Sequence, residues 1–205
     1  MFNTHLHVVS PLGLADLPAM QAHLKRLDEI DRVQRFAQPA SDQVIDRYLE
    51  HLNFLHDAFY GAHADTDDPQ RPLVGLCHLA LSPNGRFAEI GVSVDAACRR
   101  HGIAKRLLER ATLHAINLGV EEVVMYFLPY NTSLIELARR HGMSVSVGNG
   151  DGIARLARLS PSPVSVAAEW AATMGELTER SVRHLSEGAC EASATVKRLA
   201  LGEAG

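Results

Sequence analysis

Apolar positions along the chain change their spacing several times, and each change marks an element. Residues 5–9 read as a first strand. Asp16 then opens a helical stripe of Met20, Leu24 and Leu27, with Pro18 tolerated in the first turn. Ser41 caps a second stripe, made of Val44, Ile45, Tyr48, Leu49 and Leu52, that ends near Asn53. Residues 55–60 read as a strand and 62–72 as a polar loop. Leu73–Leu81 pairs with Phe87–Val94 across Ser82, Pro83, Asn84 and Gly85. Ile103, Leu107, Leu108, Ala111 and Ala115 restore helical spacing until Gly119, and residues 123–127 then read as a strand buried on both faces. Asn131 or Ser133 caps a further helix, Glu136 standing three residues after Ser133 as in a capping box, and Gly142 ends it. Residues 143–147 and a last strand flank a turn over 148–152.

This order of elements predicts a mixed α/β (α+β) domain over residues 1–159. Its centre is a mostly antiparallel sheet of about six to seven strands, flanked by helices. Ser160, Pro161, Ser162 and Pro163 interrupt the pattern as a linker. A C-terminal helical extension, 164–205, follows, with one narrow apolar stripe of Val166, Trp170, Met174, Leu177 and Leu185. That stripe has to dock, and the expected partner is its own domain, with a homodimer as the alternative.

Composition narrows the function classes. At 46% hydrophobic residues the chain can bury one good core. A net charge of -4 offers no electrostatic reason to bind nucleic acid or an anionic membrane surface. Three cysteines, Cys77, Cys98 and Cys190, are odd in number and far apart, and no secretory leader or long apolar run accompanies them. The expectation is a cytoplasmic protein with reduced thiols. The histidines lack ligand spacing, so no metal site is expected.

The chemistry concentrates between the strand 89–94 and the helix that starts near Ile103. The first N–H groups of a helix lack internal partners and carry the positive end of its dipole, so an anion placed there gains hydrogen bonds and charge stabilisation together. Arg99, Arg100 and Lys105 add formal charge, and Gly102 and Ala104 are small enough for close approach of a ligand. The loop therefore reads as a pyrophosphate cradle.

The run Arg99, Arg100, His101, Gly102, Ile103, Ala104, set between a strand and a helix, resembles the first motif of the GNAT family of N-acetyltransferases. Over about three quarters of the chain the element order is also similar to that fold. The resemblance implies that Arg99, Arg100, Gly102, Ile103, Ala104 and Lys105 hold the pyrophosphate of acetyl-coenzyme A, the cosubstrate. It implies that the backbone of Val92 and Val94 receives the pantetheine arm and thioester, and that Glu89 is the general base for the amine. The alternative for Glu89 is a carboxylate paired with Arg86 or solvent. A second motif runs from Asn131 through Ser133 to Gly142 and Met143, and places Asn131 and Ser133 near the cosubstrate. It departs from the family at Ala138, where many members have a tyrosine that protonates the leaving thiolate, and in this the chain resembles bacterial protein-lysine acetyltransferases. A coenzyme A thiolate, with a pKa near 8.5 by analogy with cysteine, can leave with little help. The implied activity is direct acetyl transfer to a small-molecule amine or a protein lysine. The rival class is a non-catalytic acyl-coenzyme A sensor or partner-binding module.

Overall fold

The structure, a computed structural model, describes residues 8–64, 71–148, 150–157, 160–175 and Thr178. Within them the chain runs β1 (Val9–Leu12), α1 (Leu17–Arg26), α2 (Glu29–Phe36), α3 (Asp42–Glu50), β2 (Ala58–His63), β3 (Leu73–Leu81) and β4 (Phe87–Val94). There follow α4 (Ile103–Asn117), β5 (Glu122–Phe127), α5 (Thr132–Arg140), β6 (Ser144–Val147), β7 (Gly152–Ala157) and a helix α6 over 163–175. The strands form one sheet in the order β1-β2-β3-β4-β5-β7-β6. Every pairing is antiparallel except β4 with β5, which α4 joins as a crossover. No helix among the described residues is long and apolar enough to cross a membrane.

The sheet separates two cores. On one face α4 packs Ile103, Leu107, Leu108, Ala111 and Ala115 against Val74, Cys77, Leu79, Ala88 and Ile90. On the other, α1 and α3 pack Met20, Leu24, Ile45 and Leu49 against Phe59, Leu73 and Leu76. Strand β3 is covered on both sides from Leu73 to Leu79, which is why its sequence is a continuous apolar run.

Several elements differ from expectation. The first strand begins at Val9, four residues after His5, which lies outside the described residues with Asp65, Asp67 and Asp68. Pro11 is admitted because β1 is an edge strand. Strand β2 starts at Ala58 because Asn53 O accepts from His56 and Asp57 N–H at 3.0 and 2.8 Å, closing a turn over part of the expected strand. A third early helix, α2, was not anticipated: Asp28 caps it by accepting from Asp31 N–H at 2.8 Å, and Ala37 stops it in the left-handed region. Strand β5 is buried on one face only, Tyr126 being exposed. The α1–α3 layer packs against β1 to β4, short of β5.

Helix α6 docks on its own domain, though by its polar side. Ser162 and Ser165 cap one another's N–H groups at its start. Glu169 accepts from Arg110, His114 and Asn117 of α4 at 3.0, 2.7 and 2.6 Å, and Arg110 also donates to Thr173 at 2.9 Å. Val166, Trp170 and Met174 point outward, Trp170 being 69% exposed. Leu177 and Leu185 of that stripe lie outside the described residues. The apolar spacing marked the helix but not its contact face. α4 had already committed its apolar side to the sheet, leaving Arg110, His114 and Asn117 for a neighbour.

The Glu169 carboxyl lies below the usual carboxylate range. Burial opposes its ionisation, but hydrogen bonds from Asn117 and His114, with the His114 charge and the Arg110 bond, outweigh it. A lowered folded-state value adds stability above the unfolded pKa and loses it as pH falls through the folded value. Acidification through that window should release α6, seen as a drop in the fluorescence anisotropy of Trp170, the single tryptophan. Glu169→Gln should abolish this acid transition.

Candidate active site

Strand β4 forms the floor of a cleft because its parallel contact with β5 is short. Phe87, Ala88 and Glu89 pair with Glu122, Val123 and Val124, and beyond Glu89 the ladder stops. On the opposite edge β4 stays paired with β3 down to Gly75 and Val94. From Ile90 to Val94 the β5 side of β4 is therefore free of strand pairing. Side chains alternate along it. Ala88, Ile90, Val92 and Val94 join the α4-side core, while Glu89, Gly91 and Ser93 face the α1–α3 layer.

The far end of β4 is tied to α1. Asp95 accepts from Arg26 Nε and Nη2 at 3.0 and 2.7 Å, its other oxygen lies 3.1 Å from Nδ1 of the fully buried His23, and His23 Nε2 is bonded to Ser93 Oγ at 2.9 Å. A short 3-10 turn, Ala96–Cys98, then leads into the loop. Arg100 and Gly102 both adopt left-handed φ, 68° and 81°. Gly102 is the N-cap of α4, and no side chain caps that helix. A Cβ at Gly102 would have nothing within 4 Å of it. The uncapped amides thus open onto free space, a cradle that fits a phosphate.

The cleft has a volume of about 620 Å³. Its lining brings together Val92, Val94, Arg99, Arg100, Gly102, Ile103, Ala104, Lys105, Asn131 and Ser133, with Asp31, Gln34 and Arg35 from α2. These side chains are not equally available. Arg99 forms an ion pair with Asp31 across the cleft and donates Nε to Val94 O at 3.2 Å. Lys105 is exposed and rests 3.5 Å from Glu109. Ile103 is buried in the core, so only its backbone faces the loop. Asn131 caps α5, its Oδ1 accepting from Leu134 N–H at 3.1 Å; Ser133 sits inside the first turn and is not the cap. Glu136 pairs with Arg140 and closes no capping box. Burial and the Asp95 charge push the Cys98 thiol up, so the neighbouring arginines do not activate it.

Glu89 lies at the fork where the β4–β5 ladder ends, exposed and outside the cleft lining. Arg86 does not pair with it; both ends of that guanidinium go to Glu121 at 2.7 Å. Ala138 and Met143 are buried in the α4-side core, away from the cleft. Tyr126 and Tyr130 are exposed and do not line it either. The residues that sequence reading missed are those of α2. Their signal was the cap Asp28, with Glu29 and Asp31 in the first turn and Arg35 in the last, a complement to the helix dipole, together with Ile30, Val33 and Phe36 at three-residue spacing.

The acetyltransferase (GNAT) family model matches residues 24–143. YwnH of Bacillus subtilis (strain 168), provisionally named a phosphinothricin acetyltransferase, is 32% identical over 59 residues, 29% of this chain. The chain spans only 36% of that relative's length. Among solved structures, the GNAT domain of PAT from S. lividans superposes with a TM-score of 0.60 at 18% identity, over 73% of this chain and 89% of that one. The ribosomal-protein-alanine N-acetyltransferase of Brucella melitensis gives 0.58 at 20% identity, over 73% and 99%. The spermidine N-acetyltransferase of Vibrio cholerae, solved with CoA and spermine, gives 0.56 at 17%, over 74% and 95%. At these identities the structural likeness is one of fold.

Because the left-handed φ at Gly102 disfavours any Cβ, Gly102→Ala should lower stability by about 1 kcal/mol although the methyl group meets no neighbour. The midpoint of urea unfolding measures it.

Proposed function

The chain belongs to the GNAT acetyltransferase family, and from that membership we propose that it transfers the acetyl group of acetyl-coenzyme A directly to a primary amine. The observation that carries the reading is the coincidence of two features in one cleft: a strand edge without pairing from Ile90 to Val94, and the uncapped start of α4 at Gly102. The loop from Arg99 to Lys105 would hold the pyrophosphate on its amides and cations. Backbone groups of Val92 and Val94 would receive the pantetheine arm, with Asn131 and Ser133 at the α5 wall. When bound, the cosubstrate supplies an activated thioester. Every other requirement falls on the chain.

An amine with a pKa of about 10.4 is protonated at neutral pH and must lose a proton before it attacks. Glu89 takes that role in the proposal, directly or through a water, from the face of β4 that meets the α1–α3 layer. Attack forms the new C–N bond, the C–S bond breaks, and coenzyme A leaves as a thiolate. With Ala138 in the core, no tyrosine stands there to protonate it. The relatives' names mention phosphinothricin, a ribosomal-protein alanine and spermidine, so the family alone does not choose the acceptor.

Calorimetric titration with coenzyme A tests the donor site. Saturable one-site binding is expected, and Gly102→Glu should abolish it by filling the cradle and repelling phosphate. Glu89→Gln should keep that affinity while kcat falls by about 100-fold or more. Binding without thiol release for any amine would instead identify a sensor.

A further inference from the structure

Arg35 lays its guanidinium against strand β4. A Cβ at Gly91 would stand 2.6 Å from its Cζ, Nη1 and Nη2, so this glycine is what admits the side chain to the strand. The rings of Phe36 and Tyr48 lie 5.2 and 5.4 Å from Cζ and confine it further. Nη2 donates to Tyr48 Oη at 2.9 Å. Since that oxygen already accepts from Arg35, its own proton goes to His78 Nδ1 at 2.8 Å, leaving His78 Nε2–H for Asp57 Oδ2 at 3.1 Å. Leu81 N–H fixes the other Asp57 oxygen at 3.0 Å. Burial holds His78 below its usual pKa, so the imidazole is neutral and passes on orientation rather than charge.

What this anchored cation lacks is an anion. Its neighbours Arg26, Arg32 and Arg99 pair with Asp95, Asp42 and Asp31, yet among the described residues no carboxylate reaches Arg35. Its Nε is buried and bonded to nothing. A partly buried guanidinium without counter-charge costs free energy that a ligand's anion recovers. The position also selects the ligand. Arg35 lines the cleft from the face of β4 that carries Glu89, and Gly91 follows Glu89 by about 7 Å along the strand. An α-amino acid, whose amine nitrogen and carboxylate oxygen are about 3 Å apart, bridges such a span with one charge-assisted hydrogen bond at each end.

We propose that Arg35 binds the carboxylate of the acceptor, and that the acceptor is a small free amino acid. This rests on the acetyl-transfer reading and names its acceptor class. Asp57, His78 and Tyr48 are positioning residues that hold the guanidinium in place, and Gly91 makes room for it.

The test presents the full chain and acetyl-coenzyme A with the standard amino acids and, in parallel, their carboxamides, and reads thiol release. Acids should react and carboxamides should not. Arg35→Gln should raise KM for the best acid by about 100-fold and leave the affinity for coenzyme A unchanged. Carboxamides accepted as well as acids, or an Arg35→Gln variant that loses coenzyme A instead of acceptor, would overturn the proposal. Absence of thiol release from both series would overturn the acceptor class, and release with spermidine or a lysine-containing peptide in the same assay would show that acetyl transfer itself stands. The 15Nε–1H resonance of Arg35, identified by its loss in Arg35→Lys, should move on titrating glycine and stay still with glycinamide. No difference between the two would dismiss the site.

Discussion

The rest of the molecule is arranged around the interrupted parallel contact between β4 and β5. Three residue pairs hold it at Phe87 to Glu89, and then β5 diverges while β4 continues along β3. Helix α4 takes up the space beneath, with Ile103 and Leu107 buried against the sheet. A backbone edge that leaves its ladder must find other hydrogen-bond partners, and here it faces a cleft rather than protein. Because α4 is the crossover between these two strands, its start falls at the mouth of the same opening. Strand edge and helix N-terminus are therefore one site by topology, and no long-range side-chain contact is needed to bring them together.

The layer of α1, α2 and α3 gives that opening its second wall. His23 and Arg26 secure Asp95 at the end of β4, which sets where the loop begins. In α2 Asp31 reaches across to Arg99, and one turn further on Arg35 rests on Gly91. On the proposed reading, the donor lies along the free strand edge and the acceptor enters beneath α2, so the two substrates meet at the fork near Glu89. The ion pair of Arg99 with Asp31 ties the loop to α2. Helix α6 stays outside this arrangement, attached to the outer side of α4 by the Glu169 cluster.

Local signals made much of the fold legible. The bounds of β3 and β4 were readable because a two-sided burial run and an alternating strand flank a Pro-Asn-Gly turn. Gly119 and Gly142 follow α4 and α5 with positive φ, the conformation that stops a helix and favours glycine. The loop at Gly102 stood out since charge, small residues and a helix start coincide within a few positions. Helix α2 escaped because it is short, eight residues of which only Ile30, Val33 and Phe36 are apolar. The contact face of α6 escaped because its partner on α4 is polar.

The chain's own sequence determined the element types, the central hairpin, the crossover helix and the cradle at its start, since each depends on neighbours within a few residues. Only the tertiary structure decided that β4 parts from β5 after Glu89, that Arg99 is held by Asp31, and that Asp57, His78 and Tyr48 line up behind an Arg35 with no counter-charge. Those outcomes join residues 13 to 68 positions apart. Their energies arise from burial and geometry, which exist only once the sheet has brought the strands side by side.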